Sequence, residues 1–145
     1  MALHLVKLCV GAGSIADLEG WIAGRRKAAA RAGKAFEQVH TTRMVPKRAA
    51  ELLDGGSLYW VIKGQVSARQ KLLDIRPFTD ADGIGRCDLV LAPDVVPVLP
   101  QPRKAFQGWR YFDAKDAPPD IGGRGAGIAD MPEDLRRELA SLGLL

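Results

Sequence analysis

The sequence is poor in the residues from which most catalytic and metal centres are built. Two histidines and two cysteines occur in 145 residues, and Cys9 and Cys87 show neither a Cys-x-x-Cys spacing nor a third or fourth sulfur. A zinc site and a disulfide framework are therefore excluded as expectations, and both thiols read as buried, reduced packing residues. No Gly-x-Ser-x-Gly, His-Glu-x-x-His or phosphate loop ending in Gly-Lys-Ser/Thr is present. Gly11-Ala12-Gly13 follows a strand pattern but lacks the third glycine of a dinucleotide turn, and Ala16 stands nearest its place. Acidic clusters are missing too: Asp80 and Asp82 fall in a hairpin turn, where their role is to cap the turn backbone. No cofactor or metal is expected on these grounds, and catalytic residues are left unassigned. Long apolar runs are also absent, none approaching the roughly 20 residues of a membrane span. The N-terminal stretch lacks a basic start and carries Lys7 in its middle, so no signal peptide is expected and a reducing cytoplasm is the expected location.

What is present is ordinary globular composition: 47% hydrophobic, 26% charged and a net charge of +4, with mean hydropathy -0.06. A chain this long buries roughly 70% of its unfolded surface as one domain, residues 1–145. The basic excess favours a polyanionic partner, RNA or another, without requiring one.

The sharpest local signal is Gly55-Gly56-Ser57-Leu58-Tyr59-Trp60-Val61-Ile62-Lys63-Gly64, a strand with glycine boundaries. Alternation puts Leu58, Trp60 and Ile62 on one face, and Tyr59, Val61 and Lys63 on the other. Residues 1–10 read as the first strand. Ser14-x-x-Asp17 then opens a helix whose apolar face is Ile15, Leu18, Trp21 and Ile22, and Gly33 ends it. The second half of that helix carries five cations in eleven residues, a solvated face first and a polyanion contact second. A short strand over 38–44 follows, then a helix from Pro46 to Leu53. Residues 57–92 read as a β-meander closed by Cys87, Leu89 and Leu91 facing inward. Pro93, Pro97, Pro100 and Pro102 predict an extended surface run. A glycine-rich loop over 122–127 and a terminal helix from Asp130 complete the chain.

Cations interleave with aromatics near the central strand and after the prolines. The segment Arg103-Lys104-Ala105-Phe106-Gln107-Gly108-Trp109-Arg110-Tyr111-Phe112 holds four aromatics and three cations. Cations supply affinity for phosphates through counterion release, and an exposed ring supplies a stacking face worth about 1–3 kcal/mol per base. Candidate nucleic-acid contacts are therefore Arg43, Lys47, Arg48, Lys63, Arg69, Arg103, Lys104 and Arg110, with Tyr59 or Trp109 as the stacking ring. Two alternatives stand beside this: a small enzyme or ligand binder with a pocket near His40, Thr42, Arg43, Lys63 and Arg110, and an adaptor that contacts a protein through its proline-rich edge and basic helix.

Residues 3–11, Thr42-Arg43-Met44-Val45-Pro46-Lys47-Arg48, residues 55–64 and Phe106-Gln107-Gly108-Trp109-Arg110-Tyr111 resemble the signature blocks of a small alphaproteobacterial family of uncharacterised single-domain proteins. That resemblance implies a compact bacterial domain and carries no activity. The Tyr-Trp-Val-Ile-Lys strand after a short helix, with the late Gly-Trp-Arg-Tyr strand, is similar in architecture to PUA-like domains, a group that includes RNA-modification domains and modified-base readers. Together these readings predict an α+β fold: a mixed or mostly antiparallel, partly closed sheet with about three flanking helices.

Overall fold

The central strand is β3 (Ser57–Ile62), and both of its faces are buried. Leu58, Trp60 and Ile62 enter one core with Leu3, Leu5, Leu89 and Leu91. Tyr59 and Val61 enter a second core with Val6, Val66, Val98 and Phe112. The face expected to end in a cation is therefore apolar throughout, and Lys63 lies beyond it in the turn. Lys63 (φ 50) and Gly64 (φ 78) form a two-residue turn with both residues in the left-handed region. That hand matches the twist of the hairpin it closes. The structure, a computed structural model, describes residues 3–121.

The turn leads into β4 (Gln65–Thr79), a 15-residue strand shared by two sub-sheets. Its first half pairs antiparallel with β3 on one edge. Along its other edge, β5 (Gly85–Leu91) pairs with the second half and β6 (Val96–Pro102) with the first. The proline-rich run is thus extended, as expected, but joins the sheet as a strand. Its position on an open edge tolerates residues without a backbone N–H. β1 (Leu3–Leu8) pairs parallel with β3 and antiparallel with β7 (Trp109–Asp113). β2 (Gln38–Thr42) pairs antiparallel with β5. The main path runs β2-β5-β4-β3-β1-β7. The sheet is mixed and not closed, which corrects the expectation of a partly closed one.

Its two end strands do not pair among the described residues; side chains of β7 reach instead to the segment that follows β2. Trp109 Nε1–H donates to the Met44 carbonyl at 2.9 Å, and the Tyr111 hydroxyl accepts from the N–H groups of Lys47 and Arg48 at 3.0 and 3.2 Å. Those two N–H groups lie just ahead of α2 (Ala49–Leu53), which starts three residues later than Pro46 suggested. The longer helix, α1 (Ile15–Arg31), is capped by Ser14, whose Oγ accepts from Asp17 N–H. It ends with Lys34 N–H on Ala29 and Gly33 N–H on Ala30, the Schellman pattern that Gly33 at φ 68 permits. Two helices are described, and the expected terminal helix and the 122–127 loop lie outside residues 3–121. No helix among the described residues is long and apolar enough to cross a membrane.

Gly56 is where the fold is least forgiving. A Cβ there would lie 2.2 Å from the Leu3 carbonyl oxygen and 2.3 Å from that of Leu52, both backbone atoms. Gly56→Ala should cost about 3 kcal/mol in urea unfolding. Gly24→Ala, in an open part of α1 with nothing within 4 Å, should instead stabilise by roughly 0.5–1 kcal/mol.

Candidate functional site

Two places bring chemistry together. One is the end of the sheet where the β3–β4 turn meets the segment after β6. Arg103 N–H donates to the Gly64 carbonyl at 2.8 Å, tying that segment to the turn. The Arg103 guanidinium lies 5.2 Å from the Phe106 ring centre and 5.4 Å from that of Phe112, and Arg110 lies 5.5 Å from Phe106. The Lys63 side chain passes beside Gly13, where an added Cβ would meet its Cε at 3.4 Å. Lys104 is exposed next to Arg103. None of these four cations has a carboxylate at ion-pair distance among the described residues.

The other expected cations are elsewhere. Arg69 forks onto Asp120 at 2.8 and 2.7 Å and donates to Ser57 Oγ at 3.0 Å, so its charge is already matched. Arg48 pairs with Glu51 and stacks over Tyr111. Arg43 and Lys47 are exposed in the loop after β2, whose Met44 is held by Trp109. The two nominated stacking rings, Tyr59 at 5% exposure and Trp109 at 7%, are packing residues. Phe106, partly buried between two guanidinium groups, is the aromatic that accompanies the cations; only its place in the 103–112 segment signalled it.

The second place is a cleft of about 190 Å³ between α1 and the sheet, lined by residues that include Lys7, Trp21, Arg25, Gln38, His40 and Trp60. His40 was expected at a pocket, but this one includes none of Arg43, Lys63 and Arg110. Arg110 belongs to the opposite face, because Trp109 and Tyr111 pack on the larger core while Phe112 enters the smaller one. Register explains the membership that the sequence reading missed. Gln38, His40 and Thr42 stand opposite Leu91, Leu89 and Cys87, so the inward row of β2 is polar where its partner is apolar. Lys7 likewise falls in the inward row Leu3, Leu5, Lys7, Cys9. That break in an alternating strand was the available signal.

The inner wall has open hydrogen-bonding capacity. Gln38 is 4% exposed, and its Oε1 and the buried Nε2 of His40 have no partner among the described residues. The His40 ring meets Trp60 edge-on at 5.2 Å. Burial, with the positive charges of Lys7 and Arg25, pushes the His40 pKa down to about 4. Burial also lowers the pKa of Lys7 and raises that of Cys9 to about 11, leaving an inert thiol. On the far face, His4 is buried and its Nδ1 accepts from Ser57 N–H at 3.0 Å. Among the described residues no group of His, Cys, Asp and Glu is suited to a metal.

Fold and sites together define an α+β domain with a mixed open sheet, a cationic end and an internal cleft. The chain belongs to the family described as a protein of unknown function, DUF1489, whose profile matches residues 5–145. No curated protein and no solved structure matches it.

A depressed histidine pKa ties stability to pH. Between pH 6.5 and about 4 the unfolded chain binds a proton at His40 that the folded chain refuses, so this contribution is complete above pH 6.5 and is lost as pH falls toward 4. It amounts to about 3 kcal/mol at most. In His40→Gln, urea unfolding at pH 7, 5.5 and 4.5 should show a shallower loss than in the parent chain.

Proposed function

We propose that the chain binds nucleic acid, RNA in the first instance, through Lys63, Arg103, Lys104 and Arg110. The observation that carries this reading is the pair of guanidinium groups, Arg103 and Arg110, at 5.2 and 5.5 Å from the partly buried Phe106 ring, with Lys104 exposed beside Arg103, Lys63 in the turn to which Arg103 N–H is tied, and no carboxylate at ion-pair distance from any of the four among the described residues. Paired arginines such as Arg69, Arg76 and Arg86 stabilise the fold locally, whereas an unpaired cluster retains its charge for phosphates. The guanidinium planes that lie over this ring are themselves surfaces on which a base stacks. Lys63 contributes a second argument. A lysine at φ 50 occupies a conformation that asparagine or glycine adopts more readily, so its charge offsets a conformational cost.

Fluorescence anisotropy with a labelled single-stranded RNA tests the proposal. Four neutralised phosphates imply an affinity that falls about 50-fold between 50 and 200 mM salt. Lys63→Asn should act in opposite directions: it stabilises the turn by roughly 0.5–1 kcal/mol and lowers the salt slope by about 0.7. Arg76→Gln, which removes a cation bridged to Glu37 and Asp74, should leave binding unchanged. Absence of binding at 50 mM salt, or a slope unmoved by Lys63→Asn and Lys104→Gln, would refute the assignment.

A further inference from the structure

The cleft beneath α1 has features that packing does not explain. Its inner end is walled by Trp60, 3% exposed, and by Gln38, 4% exposed. There the Gln38 Oε1 and His40 Nε2 atoms lack partners among the described residues, although a buried polar atom left unmatched costs about 1–3 kcal/mol. Lys7 sits half-buried in an apolar row, and no carboxylate among the described residues neutralises it. At the rim stand Trp21, 43% exposed, and the exposed Arg25 of the next helical turn. The cleft thus joins aromatic walls, two cations and an unmatched acceptor in one enclosure.

Each feature restricts what fits. Unneutralised Lys7 and Arg25 call for an anion, and a carboxylate meets both as an acceptor of charge-assisted hydrogen bonds. Trp60 and Trp21 favour a flat apolar body. Gln38 Oε1 calls for an O–H or N–H donor, and neutral His40 offers a further donor or acceptor beside it. Volume sets the scale: a cavity of about 150 Å³ takes benzene, so about 190 Å³ takes one ring with small substituents and not two fused rings.

From these observations we infer that the cleft is a binding site for a single-ring aromatic or heteroaromatic carboxylic acid that carries a hydrogen-bond donor. The carboxylate meets Lys7 and Arg25, the ring lies against Trp60, and the donor reaches Gln38. This site is independent of the cationic end, shares no residue with it, and stands whether or not the chain binds nucleic acid.

The test uses the full ¹⁵N-labelled chain and four probes: 4-hydroxybenzoate, benzoate, 4-hydroxybenzamide and 6-hydroxy-2-naphthoate. Saturable shifts are expected at the Gln38 side-chain amide, the His40 amide and the Trp60 indole N–H. 4-Hydroxybenzoate should bind about tenfold tighter than benzoate, which lacks the donor, and about tenfold tighter than 4-hydroxybenzamide, which lacks the charge. The fused-ring acid should not enter. Lys7→Met keeps the length of the side chain in an apolar row, so the fold survives. It should weaken 4-hydroxybenzoate about tenfold while leaving the amide unchanged. Gln38→Leu should abolish the preference for 4-hydroxybenzoate over benzoate. Equal binding of acid and amide, an acid affinity indifferent to Lys7→Met, entry of the fused-ring acid, or no saturable shift at these three positions would overturn the inference.

Discussion

A buried relay of two hydrogen bonds holds the sheet in its shape. Trp60 Nε1–H donates to Gln70 Oε1 at 2.9 Å, and Gln70 Nε2–H donates to the Ala92 carbonyl at 2.8 Å. Gln70 is fully buried, so its amide must be matched inside the protein. The relay crosses from β3 through β4 to the residue that follows β5, where β4 exchanges one neighbour for another. Ala92 is bound there a second time, through its N–H to the Lys71 carbonyl. A long strand could slide or straighten at such a junction, but a side chain that satisfies both its ends in one geometry fixes the register.

The same relay orients the Trp60 ring, and that ring has three tasks. It fills the larger core, receives the edge of His40 and walls the cleft under α1. β1 plays a comparable part in dividing the molecule. Lys7 and Cys9 face the cleft, while Val6 enters the smaller core with Phe112. One strand therefore supplies side chains to the cleft and support to the cationic end, on opposite faces of a single sheet.

Much of the fold was legible because local chemistry and burial agreed. Ser14 and Gly33 bound α1 where capping chemistry placed them, and the alternation of Cys87, Leu89 and Leu91 delivered the inward row of β5. Asp80 caps its turn through Oδ1, which accepts from Asp82 and Ile84 N–H. Long-range pairing was not legible. The parallel contact of β1 with β3 depends on which strands meet, and composition does not encode that. Prolines suggested a surface run after Ala92, yet an open edge of β4 was available to them. At the sites, charge was readable and partnership was not: nothing local to Arg69 announces Asp120, fifty-one residues later. Lys7 was visible as a cation in a strand, but only the register shows it turned inward.

The attachment of α1 has a consequence for how the molecule breathes. Seventeen helical residues rest on the sheet through three buried side chains, Ile15, Leu18 and Ile22, all toward the capped N-terminal end. The remaining turns carry Arg25, Arg26, Lys27 and Arg31 into solvent and bury little apolar surface. Opening of a structural unit costs free energy in proportion to what it buries, so the C-terminal half of α1 separates from the sheet more readily than any strand does. Amide hydrogens from Arg25 onward will exchange through that partial detachment, on a faster clock than those of β3 and β4. The wall of the cleft that bears Arg25 is thus its least anchored side, held to the sheet only as far as Ile22.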